Sequence, residues 1–122
     1  MFLLEDGNNV MNTEHEKLIR QFANAVIEQN EAIERHDIKS GNKFANKYIK
    51  ASETLIGAGG EGIRAFACLL DDRRIAVRVM AASYLLPYCT NEAIPILRKA
   101  AGGKGITALG AYMTLKRWEA SN

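Results

Sequence analysis

Two cysteines, two histidines, two prolines and one tryptophan leave this 122-residue chain poor in the residues that most often carry chemistry or covalent bracing. Cys68 and Cys89 stand in no metal-binding or redox spacing, which excludes a disulfide scaffold and a CxxC centre. Reduced thiols are expected, one or both in the core of a cytoplasmic protein. His15 falls in a first helical turn and His36 at a helix end. Neither has ligands at metal spacing beyond Glu14, Glu16 and Asp37, so both read as surface histidines. No apolar run approaches the ~18 residues of a membrane span. Residues 1–10 lack the basic start and long apolar centre of a signal peptide. The glycines at 57, 59, 60 and 62 match neither a Walker loop nor a dinucleotide fingerprint, and no strand precedes them. They read as a helix C-cap and tight turn. Glu61, Asp71 and Asp72 read as helix-end charges rather than an acid/base pair. With no catalytic set, metal site or cofactor motif, an enzyme is not expected.

What is present is ordinary globular material, 48% hydrophobic and 25% charged, enough for one domain with a real core. We assign 12–122 to that domain and 1–11 to an N-terminal extension. MFLLEDGNNV is equally readable as a leader ahead of a start at Met11, or as a short extension of the fold. Charge is uneven: residues 1–37 carry eight acids and three bases, and residues 38–122 carry six acids and thirteen bases. One end of the molecule is therefore expected to be acidic and the rest basic.

Apolar spacing predicts six helices in three antiparallel pairs, with no strand. Thr13 to Glu16 forms a capping box opening a helix to about Arg35, with Leu18, Ile19, Phe22, Val26 and Ile33 inward. A second helix runs from Asp37 or Ser40 to Leu55 or Ile56. A short third, from Glu61 to Leu70, buries Ile63, Phe66 and Leu69 or Leu70. The fourth, capped by Asp72, presents Ile75, Val79, Ala82 and Leu86 as a stripe widened by Ala81 and Leu85, and Pro87 ends it. Thr90 or Asn91 caps the fifth, which tolerates Pro95 near its start and turns Ile94 and Leu97 inward. The sixth runs from Lys104 to about Glu119, with Ile106, Leu109, Met113 and part of Trp118 buried.

The fourth helix has echoes thirty residues away on either side. Ile49, Val79 and Leu109 align, as do Ala51, Ala81 and Ala111, and Leu55, Leu85 and Leu115. Large, small and large apolar columns at a fixed offset are a sign of stacked repeats. The central unit resembles a HEAT-like repeat of the phycobilin-lyase (PBS-lyase) type. Asp72 stands six positions before Arg78, Val77 precedes that arginine, and Ala81, Ala82 and Leu85 follow. The resemblance implies an all-α, right-handed α-α superhelix of about three hairpins. It also implies a bond between Asp72 or Arg78 and a neighbouring repeat. The flanking units carry Asn42 and Tyr48, and Gly102 and Ala108, so such a ladder is one rung long. The resemblance covers about half the chain and specifies a fold, not a function.

In such a stack the second helices line the concave side. Lys39, Lys43, Lys47 and Lys50 share one face of the second helix. Arg73, Arg74, Arg78 and Lys104 open the next two units, so these bases are expected to form a strip facing another protein with an acidic surface. The plain alternative is the solvated face of lysine-rich helices. Tyr84 is expected beside the strip as an anchor. The leading expectation is a non-enzymatic protein-binding module of adaptor, inhibitor or immunity type, bacterial and cytoplasmic. A nucleic-acid-binding HEAT-like protein comes second, weakened by a net charge of +2 and the lack of aromatics between the bases. A lyase-type HEAT-like enzyme comes third.

Overall fold

A computed structural model describes residues 12–121. The expected extension over 1–11 lies outside the described residues. The chain is all-helical: α1 (Thr13–Glu34), α2 (Ile38–Gly57), α3 (Gly60–Ala67), a 3-10 turn (Cys68–Asp71), α4 (Ile75–Leu85), α5 (Thr90–Ala101) and α6 (Ile106–Ser121). No strand occurs among the described residues.

Local chemistry sets most of the helix ends. Asp37 caps α2, its Oδ1 accepting from the Ser40 N–H at 3.1 Å. That bond holds the Asp37 carboxyl below the usual aspartate range. The cap of α1 is Asn12 rather than Thr13: Asn12 Oδ1 accepts from the Glu14 and His15 N–H groups at 2.7 and 3.4 Å. Asn is the better cap of the two adjacent candidates, which explains the one-residue shift. At the other end of α1, the Asp37 N–H bonds Ala32 O and the His36 N–H bonds Ile33 O. This is a Schellman closure, with His36 in the left-handed position (φ 61°) that glycine usually takes. Thr90 does not cap α5; its hydroxyl donates to Leu86 O at 2.6 Å. α4 ends at Leu85, beside Pro87 as expected. Leu86 keeps right-handed helical dihedrals (φ −48°, ψ −49°), so it is the missing N–H of Pro87 rather than a displaced Leu86 that accompanies the end.

The glycine cluster is structural at two positions. Gly59 turns the chain with φ 80°. Gly62 lies so close to α2 that a Cβ there would sit 2.0 Å from Leu55 O. A side chain at 62 would therefore push α3 off α2.

The core is an aromatic nest extended by aliphatics. Phe22 meets Phe66 edge-on at 4.8 Å, Tyr48 at 5.9 Å and Tyr84 at 6.0 Å, joining α1, α2, α3 and α4. Edge-to-face rings contribute about 0.5–1.5 kcal/mol per pair beyond their burial. Leu55, Val77, Leu85 and Leu97 continue the core toward α5. The alanines at 51, 81 and 111 are all buried, as are the leucines at 55, 85 and 115.

Several residues expected inside are not. Ile75 is half-exposed, because α4 begins after an extended bend at Arg73–Arg74 and Ile75 is its first residue. On α6, Ile106, Leu109 and Met113 are 52%, 58% and 49% exposed; Ala108, Ala111 and Leu115 face the core instead. Ile33 is also exposed. Conversely, His15 is buried rather than on the surface, with its Nδ1 lacking a hydrogen-bond partner and Glu61 Oε1 3.9 Å away. The cysteines are free, Cys68 exposed and Cys89 half-buried, so neither belongs to the core.

Candidate partner-binding groove

Ile33 of α1 and Ile106 and Met113 of α6 face a common depression, while Leu109 and Tyr112 lie outside it. A groove of about 670 Å³ runs between α1, α4 and α6. α4 supplies its floor through Ala76, Val79, Met80, Ser83 and Tyr84. The C-terminal half of α1 supplies Val26, Gln29, Asn30 and Ile33. α6 contributes a full-length stripe: Ile106, Gly110, Met113, Thr114, Arg117 and Ser121. That stripe repeats every three to four residues, one helical face about 24 Å long for a 16-residue helix. Trp118 lines the same groove, half-buried.

Polar groups in the groove pair with one another. Tyr48 donates its hydroxyl proton to Gln29 Oε1 at 3.2 Å, and burial pushes its phenol up. Ser83 Oγ stands 3.5 Å from Thr114 Oγ1, and Arg117 Nη2 donates to Thr114 Oγ1 at 3.4 Å. The Tyr84 phenol is likewise pushed up by burial, with Tyr48 and Glu53 adding to the effect. Arg117 is the sole ionised side chain in the lining. A mostly apolar trough with a few oriented polar groups is suited to binding.

The bases singled out in the sequence lie outside this groove. Lys43 and Lys47 flank the Phe44 ring at 5.9 and 5.5 Å, so they do share a face of α2, and Lys50 is exposed on the same helix. Arg73 and Arg74 sit in the bend before α4, and Lys104 in the α5–α6 loop. Arg74 is committed to Asp72: its Nε and Nη2 reach the two carboxylate oxygens at 2.9 and 3.0 Å, and its N–H bonds Oδ1. This pairing holds the Asp72 carboxyl below the usual range and raises Arg74. Asp72 thus braces the bend instead of capping α4. Arg78 Nη1 donates to Asp72 O and Arg73 O at 2.8 and 3.2 Å. The side-chain bonds of Asp72 and Arg78 stay within their own unit, where the HEAT-like resemblance implied a contact between repeats. Tyr84 does line the groove, with its ring part of the core nest.

The thiols are not activated. Desolvation, then Asp72 and Asp71, push the Cys68 thiol up; desolvation and Glu92 do the same to Cys89. No group of three or more metal-ligating side chains occurs among the described residues. No helix among them is long and apolar enough to cross a membrane.

The fold has a solved counterpart. The crystal structure of the protein RPA1889 from Rhodopseudomonas palustris is similar to this chain with a TM-score of 0.80, at 22% identity, over 87% of this chain and 88% of that one. At that identity the likeness extends to the fold. No protein family and no curated protein sequence matches the chain.

Proposed function

We propose that this protein is a non-enzymatic protein-binding module, a short HEAT-like stack that receives a helix of a partner protein between α1, α4 and α6. The observation that carries this reading is the exposure of Ile106 and Met113 along a groove whose floor is already built. A surface helix with one wetted side is expected to turn polar residues to that side, and α6 turns large apolar ones there. An apolar side left open in this way fits a site that another chain completes. The burial of Ala51, Ala81 and Ala111, and of the leucines four positions on, supports the stacked arrangement.

Helix-in-groove recognition seats anchors at i, i+3/i+4 and i+7. Met80 and Met113 offer soft, adaptable contacts for such anchors. The Lys43–Lys47 face and Arg73 would then supply long-range attraction for an acidic partner rather than the seat itself. The test is selection of a displayed library of 16-residue helical peptides on the full chain, with counter-screening on Met113→Glu. Binders should emerge whose affinity drops at least about tenfold on the variant, as loss of a central anchor contact does. Selection yielding no binder that distinguishes the two would refute the groove as the seat.

A further inference from the structure

Arg117 is unusual in its surroundings. It is the one charged group bordering a trough of uncharged side chains. Among the described residues its guanidinium donates a single long hydrogen bond, to the Thr114 hydroxyl, and takes part in no ion pair. A guanidinium beside an apolar trough is weakly hydrated, planar and able to bind a carboxylate in a bidentate fork. No other acid or base lines the trough among the described residues, so Arg117 gives it a single charged position.

Position adds a length. Ile106 and Arg117 face the groove eleven residues apart on α6, about 16 Å along the helix axis at 1.5 Å per residue. A partner helix lying along α6 at the usual shallow crossing angle keeps that spacing. We infer, resting on the groove reading above, that the occupant is a single amphipathic helix with a defined motif. Apolar anchors at i, i+3 or i+4 and i+7 sit over Ile106, Met80 and Met113, and an Asp or Glu near i+11 (or i−11 for the opposite chain direction) is held by Arg117.

A second copy of this chain does not meet the motif. The exposed stripe of α6 that would enter a neighbour's groove reads Ile106, Leu109, Met113 and then Arg117 at i+11, a base where the motif needs an acid. Such a pairing sets Arg117 against its counterpart and is disfavoured by like charge. The partner is therefore a different protein presenting an acid-terminated apolar helix.

The experiment reads the peptides selected on the full chain. They should share a carboxylate three turns from their first apolar anchor. Changing it to Lys should weaken binding on the order of five- to tenfold, an effect that shrinks at high salt. The Arg117→Glu chain should reverse the preference and bind the Lys peptide better than the acidic one. Arg117→Lys should keep the sign of the preference with less strength, since a point charge lacks the fork. Groove-dependent peptides with no acid at that spacing, or an unreversed preference in Arg117→Glu, would overturn the motif while leaving the groove reading intact. Absence of any peptide sensitive to Met113→Glu would overturn both. So would a concentration-dependent dimer in sedimentation that Met113→Glu converts to monomer, because the groove would then be filled by a second copy.

Discussion

α4 and α6 are alike in composition and opposite in setting. Both carry apolar residues on more than one side, α6 with Lys116, Arg117 and Glu119 added toward its C-terminal end. α4 lies among α1, α3, α5, α6 and the 3-10 turn, which bury Val77, Val79, Ala81, Ala82 and Leu85. α6 packs chiefly against α5 and α4, and its remaining apolar side meets solvent. An all-round apolar helix is normally a buried one. The difference shows that the number of packing neighbours, not composition, decides which of two such helices is more enclosed.

The largest effect that sharpens this contrast comes from paired leucine truncations. Leu85→Ala, at a fully buried α4 site, should cost about 2–5 kcal/mol in chemical unfolding. Leu109→Ala on the exposed side of α6 should change stability by no more than about 0.5 kcal/mol. Similar losses at both would mean that α6 is enclosed after all.

A smaller loss is expected where α3 seats on α2. Gly62→Ala places a methyl against Leu55 O and should cost about 1–3 kcal/mol, by overpacking against backbone that cannot yield. A neutral result would show that the α2–α3 contact is looser than this geometry.

The smallest effect concerns the entry to α4, braced by an ion pair where the α5–α6 loop has none among the described residues. The folded Asp72 carboxyl is held low by Arg74. Its contribution is fully present above the unfolded aspartate value near ~4. It fades as the pH falls from there through the lower folded value, because the unfolded chain takes up its proton first. Asp37 acts in the same direction. Asp72→Asn should flatten the decline in unfolding free energy across that acid window and leave the neutral-to-basic range parallel to the parent. A steeper decline would contradict the assignment.

Much of the fold was legible because its signals are local. Asp37 before an amphipathic run, Pro87 after one and the glycines at 57–62 mark helix ends through backbone chemistry alone. The small positions of the large-small-large columns, Ala51, Ala81 and Ala111, are buried. What escaped depended on tertiary surroundings. His36 occupies a left-handed position that its residue type does not announce. Asp72 has the right chemistry for a cap, yet the bend at Arg73–Arg74 displaces the helix start and Arg74 claims the carboxylate. The groove was half visible: Ile33, Ile106 and Met113 were all assigned to the core, and all three line it. A signal was there in the excess of apolar residues on α6, more than one buried stripe needs. Periodicity cannot say which of several apolar faces the fold will cover. The basic residues were read as one strip because their spacing on helices is regular, but Arg74 and Arg78 are occupied by local bonds that no spacing rule reveals.

The claim on which the rest turns is that the open side of α6 belongs to a partner's helix. The single tryptophan reports on it directly, since Trp118 lines the groove. Titrating a selected peptide free of tryptophan into the full chain should shift Trp118 emission to the blue and saturate, and Met113→Glu should abolish the shift while the chain stays folded. Tight binding with no change in Trp118 emission, or an equal shift in Met113→Glu, would contradict the account.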